Sequence, residues 1–212
     1  RDRNPTVGTS ADEMIISIRV VATADTLSAA ETMVLADFAE IRGRLGGVVF
    51  GEGDATLQSA AASMLIAGKL TISTAESCTG GLVAVRLTDV AGSSAYMMQG
   101  FVTYSNASKA RLLGVTEKLI EAHGAVSREV AAAMAENCRR VSGTDYAIGV
   151  TGIAGPSGGT AEKPVGLVYV ALATPSETIV KELRLGENLR RDQIRDRTVK
   201  GVLNLLRLEL MR

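Results

Sequence analysis

The chain has 212 residues, of which 46% are hydrophobic, so it is long enough for one domain with a buried core and a small additional domain. Its 23 basic and 23 acidic residues balance, which gives no indication of a surface for a polyanion, and no nucleic-acid partner is expected. A single histidine and two widely separated cysteines, Cys78 and Cys138, match no metal-site spacing, so we expect two reduced thiols, no metal and no cofactor.

Hydropathy also bears on location. No apolar run approaches the ~20 residues that span a bilayer. The start of the chain, Arg1 to Pro5, lacks the apolar centre of a signal peptide. We therefore expect a cytoplasmic protein without membrane contact. Because the sequence does not begin with Met, we also expect that an upstream domain is missing from it.

The first predicted elements form a small α+β domain over residues 1–50. Alternating residues predict a strand at 14–22, an amphipathic pattern predicts a helix at 28–45, and a second strand at 46–50 follows a Gly-Gly turn. We expect this β-α-β unit to be KH-like. The glycines at 51–53 mark the boundary, so that the second domain covers 51–212.

The second domain alternates between the two kinds of element. Helices are predicted at 54–68, 79–89, 106–113, 116–122, 127–141 and 189–210, and strands at 70–75, 96–104, 145–151, 165–173 and 178–185. Interleaved helices and strands predict a layered α/β/α domain with a mixed central sheet.

The stretch T-A-E-S-C-T-G-G at 74–81 places Ser77 between a predicted strand and a helix. A helix start offers unpaired N–H groups and a partial positive charge, so a hydroxyl there lies beside donors for an oxyanion or a phosphate. Ser and Thr are also ordinary helix caps, and a glycine pair can be turn chemistry alone. The spacing by itself leaves both interpretations open.

A second segment, F-V-T-Y-S-N-A-S-K at 101–109, ends a strand and places Lys109 in the first turn of a helix. Tyr104 and Lys109 are therefore candidates for one cleft. A partly desolvated lysine near the positive end of a helix favours its neutral form, as a general base requires. The alternative is a solvated surface lysine.

Two further segments are candidates for binding an anion. The glycine-rich loop at 150–160 can wrap an anionic ligand with backbone N–H groups or serve as a flexible connection, and it matches neither nucleotide-binding glycine motif. The last helix opens with arginines, which pair bidentately with phosphate or form a solvated face; they are Arg190, Arg191, Arg195 and Arg197.

His123 is the sole candidate for a histidine-based triad. It precedes Gly124 at a predicted helix end, where a C-terminal capping role is the simpler interpretation. The scarcity of histidine favours a Ser-Lys arrangement over Ser-His-Asp.

From Phe50 onward the chain closely resembles the C-terminal domain of the CinA family, the nicotinamide mononucleotide deamidases. Four blocks carry the resemblance in the family's order: T-A-E-S-C-T-G-G, G-F-V-T-Y-S-N-x-x-K, H-G-A-V-S and T-G-I-A-G-P-S-G-G-T-A-E-K-P-V-G. The part that begins R-N-P-T-V-G-T resembles the small domain that precedes this deamidase. The resemblance implies that the missing upstream domain is the family's first domain, which resembles molybdopterin-binding proteins.

The resemblance implies hydrolysis of nicotinamide mononucleotide to nicotinate mononucleotide and ammonia, within pyridine nucleotide recycling. It implies that Ser77 is the nucleophile, that Lys109 accepts its proton, and that Tyr104 relays the proton or orients the lysine. Backbone N–H groups between Cys78 and Gly81 would stabilise the oxyanion. The resemblance also implies a homodimer and a set of substrate-binding residues: Cys78, Thr79, Gly80, Gly81, Thr151, Gly152, Ile153, Gly155 and, for the phosphate, Arg191.

Three other hypotheses remain open at this point. Cys78 is an alternative nucleophile with His123 as its base, which a fully active Cys78→Ser enzyme would exclude. A nucleotide-binding module without chemistry is another, because CinA proteins are linked by name to competence and DNA damage. A DNA-recombination partner is the third, and salt-sensitive DNA binding would support it.

Overall fold

The computed structural model describes residues 3–212 and separates them into two compact units. The first ends at Gly53 and the second is Asp54–Arg212.

The first unit is a β-hairpin followed by a helix. Strands β1 (Thr6–Asp12) and β2 (Ile15–Val21) pair antiparallel, and the turn between them has positive φ at Glu13 and Met14. Helix α1 (Leu27–Leu45) begins where the Thr26 side chain accepts from the N–H of Ala29. The hairpin's two positive-φ residues fit the twist of a short two-residue connection.

The small domain is confirmed as α+β, but its predicted β-α-β order is wrong. The strand expected at 46–50 is instead a 3-10 turn, Gly46–Val48, which begins at Gly46 with φ +52°. The partner strand of β2 is β1, which precedes β2 in the chain and is joined to it by a tight hairpin turn. Strand β1 was missed because all seven of its residues are exposed and show no apolar alternation.

The second unit is built on a five-stranded mixed sheet in the order β4-β3-β5-β6-β7. Its strands are β3 (Ile72–Glu76), β4 (Met97–Val102), β5 (Tyr146–Gly152), β6 (Leu167–Ala173) and β7 (Thr178–Arg184). Strand β3 runs parallel to β4 and β5, whereas β6 pairs antiparallel with β5 and β7. The predicted layered α/β fold with a mixed sheet is confirmed.

Six helices of this unit flank the sheet in the described part of the chain. They are α2 (Leu57–Gly68), α3 (Leu82–Thr88), α4 (Asn106–Leu113), α5 (Glu117–His123), α6 (Arg128–Ser142) and α7 (Arg191–Leu210). Hydroxyl side chains cap the starts of four of them, as their sequences favour; the capping residues are Thr56, Ser105, Thr116 and Ser127.

Both faces of the sheet are covered. Helix α6 packs on β3, β5, β6 and β7, while α7 packs against β6, α2 and α3. Every residue of β3 is buried, as expected for a central strand of an α/β sheet. Because β3, β4 and β5 are parallel, their carboxyl ends lie at the same edge, and the segments that follow them meet there.

Candidate active site

The candidate site lies at the carboxyl edge of the three parallel strands. Ser77 follows β3, Thr103 and Tyr104 follow β4, and the glycine-rich loop follows β5. Backbone hydrogen bonds join these ends, since the N–H of Thr103 donates to Glu76 O (2.8 Å) and that of Ser77 donates to Val150 O (3.0 Å). The sheet thereby fixes the relative positions of the segments that carry the predicted residues.

The structure brings Ser77 and Lys109 into contact. Their Oγ and Nζ atoms are 3.1 Å apart, although 32 positions separate them in sequence. Lys109 projects from α4, and its Nζ also lies 2.9 Å from Thr103 O and 3.4 Å from Tyr104 O. The amine therefore has three oxygen neighbours, of which one is the serine hydroxyl.

Lys109 is not a surface lysine, because only 1% of it is exposed. Burial lowers the pKa of its ammonium group below 10.5, and the nearby Cys78 opposes this shift only in part. Its two carbonyl neighbours are neutral acceptors, and no carboxylate within residues 3–212 contacts the amine to hold its charge. Burial therefore shifts the equilibrium toward the neutral amine that a general base requires.

The loop that carries Ser77 uses most of its own N–H groups. The N–H of Gly80 donates to Ser77 O (3.0 Å), and that of Leu82 donates to Thr79 O (3.2 Å). The buried carboxylate of Glu76 accepts from Gly81, Val83 and Ala84 at 2.9–3.0 Å. The start of α3 is therefore already satisfied, contrary to the expectation that its N–H groups would be available to a ligand.

Two N–H groups of this loop remain. Those of Cys78 and Thr79 donate to no other residue within 3–212. Gly80 and Gly81 have φ of +60° and +93°, so glycine suits the turn that presents these groups.

Cys78 lies beside Ser77 but is buried. Desolvation raises the pKa of its thiol to about 12, which keeps it protonated near neutral pH. His123 ends α5 and lies 3.6 Å from Glu129, with Gly124 as the capping residue. Neither observation supports a Cys78–His123 pair.

Tyr104 meets Lys109 through its carbonyl. Its side chain is 59% exposed, and its hydroxyl accepts from Arg191 Nη2 at 2.8 Å. Arg191 also donates to Gly155 O at 2.8 Å. The predicted phosphate-binding arginine thus links the segment after β4 to the glycine-rich loop.

The predicted residues of the glycine-rich loop have structural partners of their own. Thr151 is buried and donates its hydroxyl to Ala125 O (2.7 Å), while Ile153 exchanges backbone hydrogen bonds with β6 and Gly166. A Cβ at Gly152 would lie 2.7 Å from Val168, and one at Gly155, where φ is +70°, would lie 2.6 Å from Val165. Both glycines are required by close packing, whatever they bind.

Three contacts at the site were not predicted. Besides the Glu76 carboxylate, Arg195 donates twice to Thr79 O (2.7 and 3.2 Å), and Lys163 Nζ donates to His123 O and Val126 O at 2.7 Å each. Arg195 lies four residues after Arg191 on α7, which places both side chains on the same face of the helix. This spacing is the sequence signal that could have predicted a role for Arg195 at the site.

Within residues 3–212, no group of three or more His, Cys, Asp or Glu side chains is arranged to hold a metal ion, and no helix is long and apolar enough to cross a membrane. A groove of about 820 Å³ lies between β2 and α1 in the first unit, lined mainly by apolar side chains. Although this groove is large, the side chains that line it include no nucleophile beside a base, so it is not a candidate catalytic site.

A serine hydroxyl in contact with a buried lysine amine, at the strand-to-helix loop of a layered sheet, defines the chain as an α/β protein with a serine–lysine pair. The family model for the CinA C-terminal domain matches residues 54–210. The chain belongs to the CinA family, which confirms the resemblance found in its four sequence blocks.

Individual relatives agree. A putative competence-damage inducible protein of Clostridium novyi is 44% identical over 99% of this chain and 50% of the relative, and a CinA-like protein of Geobacter sulfurreducens is 46% identical over 94% and 48%. The crystal structure of the competence/damage inducible protein CihA from Agrobacterium tumefaciens has a TM-score of 0.69 and 42% identity, over 76% of this chain and 100% of that chain. The chain spans about half the length of the curated relatives it matches.

Proposed function

We propose that this protein is an amidohydrolase that converts nicotinamide mononucleotide to nicotinate mononucleotide and ammonia. The observation that carries the proposal is the 3.1 Å contact between Ser77 Oγ and the Nζ of the buried Lys109. A hydroxyl beside a desolvated amine is an activated nucleophile suited to attack on a carboxamide.

The neighbours of Nζ support the direction of proton transfer. A neutral amine has two N–H bonds and one lone pair. Thr103 O and Tyr104 O lie within reach of the two N–H bonds, which leaves the lone pair for the Ser77 hydroxyl. In this proposal Tyr104 orients the lysine through its carbonyl, and its hydroxyl acts with Arg191 near the substrate.

The reaction then proceeds in two halves. Ser77 Oγ attacks the carboxamide carbon while Lys109 takes the hydroxyl proton. Lys109 then gives that proton to the amide nitrogen, and the tetrahedral intermediate collapses and expels ammonia. The resulting ester is attacked by water, which gives its proton to Lys109. Collapse restores the Ser77 hydroxyl with the proton from Lys109 and releases the carboxylic acid, which then loses its proton to water.

Hydrogen bonds within the loop limit which N–H groups are available to stabilise the oxyanion. Because Gly80 and Gly81 already donate within the loop, we assign the oxyanion to the N–H groups of Cys78 and Thr79. Losing one such donor typically lowers the rate by about 10²–10³-fold. The Thr79 carbonyl, held by Arg195, keeps this peptide segment in place.

Three observations support the choice of substrate. Membership in the CinA family agrees with the deamidase that the sequence blocks resemble. The site has a nucleophile for a neutral amide, and Arg191 reaches it from α7 with a guanidinium group that suits a phosphate monoester. Gly152, Ile153 and Gly155 lie on the loop beside it and are proposed to line the nucleotide.

The test is ammonia release from nicotinamide mononucleotide in excess chelator, since the serine–lysine chemistry requires no metal. Wild type is expected to be active and Ser77→Ala to be inactive. An inactive wild type that still binds the nucleotide would indicate a binding module instead. Normal turnover by Ser77→Ala would exclude this mechanism.

A further inference from the structure

The carboxylate of Glu76 lies under the nucleophile loop and has no part in the steps above. None of it is exposed, and its partners are three backbone N–H groups. Oε2 lies 3.0 Å from the nitrogens of Gly81 and Val83, and Oε1 lies 2.9 Å from that of Ala84. One side chain therefore holds the first turn of α3 against the end of β3.

The backbone of the same residue fixes the other side of the loop. Glu76 O accepts from Thr103 N, and the next N–H along the chain, that of Ser77, donates to Val150 O. Thr103 O in turn accepts from Lys109 Nζ. Glu76 thus connects the helix after Ser77, through one strand neighbour, to the lysine that faces Ser77.

We propose that Glu76 is the positioning residue of the nucleophile: its buried carboxylate closes the loop between β3 and α3, and so sets both the Ser77–Lys109 contact and the direction of the Cys78 and Thr79 N–H groups. This inference rests on the proposed function. A loop of five residues that is fixed at both ends has little freedom. A displacement of about 1 Å in such a site can lower a rate by about 10²-fold.

The chemistry of the three contacts requires a carboxylate. All three partners are donors, and a carboxylate accepts on both oxygens. A glutamine keeps the shape but turns an NH₂ group toward at least one N–H donor. An aspartate keeps the charge but is one methylene shorter. Both changes are expected to loosen α3 from β3.

Asp145 offers a matched control in the same sheet. Its carboxylate also accepts from the backbone, at 2.8 Å from Thr71 N and 2.7 Å from Thr71 Oγ1, but beside the amino ends of β3 and β5. Asp145→Asn replaces the charged acceptor of these contacts by a neutral one, and so weakens a structural contact far along β3 from Ser77. A stability effect alone would act on both variants alike.

The experiment compares Glu76→Gln, Glu76→Asp and Asp145→Asn with wild type by kcat and KM for ammonia release, together with thermal unfolding. We expect Glu76→Gln to lower kcat at least about 10²-fold with KM changed less than about 3-fold, because the carboxylate holds the nucleophile and the oxyanion donors and makes no contact with Arg191, the proposed phosphate-binding residue. Asp145→Asn is expected to keep kcat within about 3-fold at a comparable loss of melting temperature. If Glu76→Gln does not fold, the same comparison is made with Glu76→Asp.

A second readout separates this inference from the proposed function. A fluorophosphonate probe reacts with an activated serine: Ser77 Oγ forms a bond to phosphorus, fluoride leaves, and Lys109 takes the proton. Wild type is expected to react at least about 10²-fold faster than Glu76→Gln, and this comparison stands even if wild type releases no ammonia. The inference would be overturned if folded Glu76→Gln reacted with the probe as fast as wild type. Where Glu76→Gln does not fold, the same result for folded Glu76→Asp would overturn it. So would an equal loss in Asp145→Asn.

Discussion

Ser77 and Lys109 are expected to act as one unit, which a double-mutant cycle measures. The perturbations are Ser77→Ala, Lys109→Met and the double variant. Methionine fills much of the volume of the lysine stem but cannot accept a proton. The two atoms that form the unit, Oγ and Nζ, are 3.1 Å apart, so each loses its partner when the other is removed.

The size of each effect follows from this contact. Removing a general base lowers a rate by about 10²–10⁴-fold, which is about 3–5 kcal/mol of transition-state stabilisation. Removing the nucleophile is expected to cost about as much or more. Because a base without a nucleophile has nothing to activate, the double variant should be no slower than Ser77→Ala, rather than slower by the product of both losses.

The assay is ammonia release under saturating substrate, at a temperature where unfolding curves show every variant folded. Lys118→Ala is the control, since Lys118 is an exposed lysine on the neighbouring helix α5. It is expected to leave kcat unchanged. Multiplicative losses in the double variant, or a Lys109→Met enzyme with more than about a tenth of wild-type kcat, would refute the serine–lysine unit.

Three further predictions follow from the same structure. Because burial lowers the pKa of Lys109, kcat should fall with decreasing pH along a limb centred below 10.5. The free energy of unfolding should rise with pH between that lowered pKa and 10.5, because the unfolded chain binds more protons in this range. Lys109→Met should lose this rise in urea unfolding. Cys78→Ser should retain kcat within about 5-fold, because burial raises the pKa of the thiol to about 12 and leaves no thiolate to lose; a loss above 10²-fold would favour Cys78. Gly149→Ala should destabilise the protein by about 1–3 kcal/mol or more, since its Cβ would lie 2.5 Å from Ala131 O, whereas Gly201→Ala meets only a leucine side chain at 3.1 Å and should be nearly neutral.

Much of the second unit was predictable because its signals are local. Apolar runs with hydroxyl caps placed α4 and α6 within a residue of their bounds, since a cap both satisfies an N–H and marks the helix start. The convergence of Ser77 and Lys109 follows from parallel neighbouring strands whose carboxyl ends meet. The proximity of the pair was therefore predictable from the sequence.

The features that escaped prediction depend on tertiary contacts. Strand β1 pairs through its backbone while its side chains face solvent, so it lacks an apolar period. Glu76 accepts hydrogen bonds from residues five to eight positions ahead, which requires the helix to fold back on its strand. No spacing rule for helix caps covers that range. The hydrogen bond from Arg195 to the Thr79 carbonyl depends on where α7 packs, which the sequence pattern does not show.

The central claim is that Ser77 forms a covalent acyl intermediate. It is tested most directly by mixing the enzyme with nicotinamide mononucleotide, quenching in acid within the first turnover, and measuring the mass of the peptide that contains Ser77. The account predicts an added mass equal to the substrate less ammonia, located on Ser77 and absent from Ser77→Ala. Ammonia release without any adduct on that peptide, or an adduct located on Cys78, would contradict it.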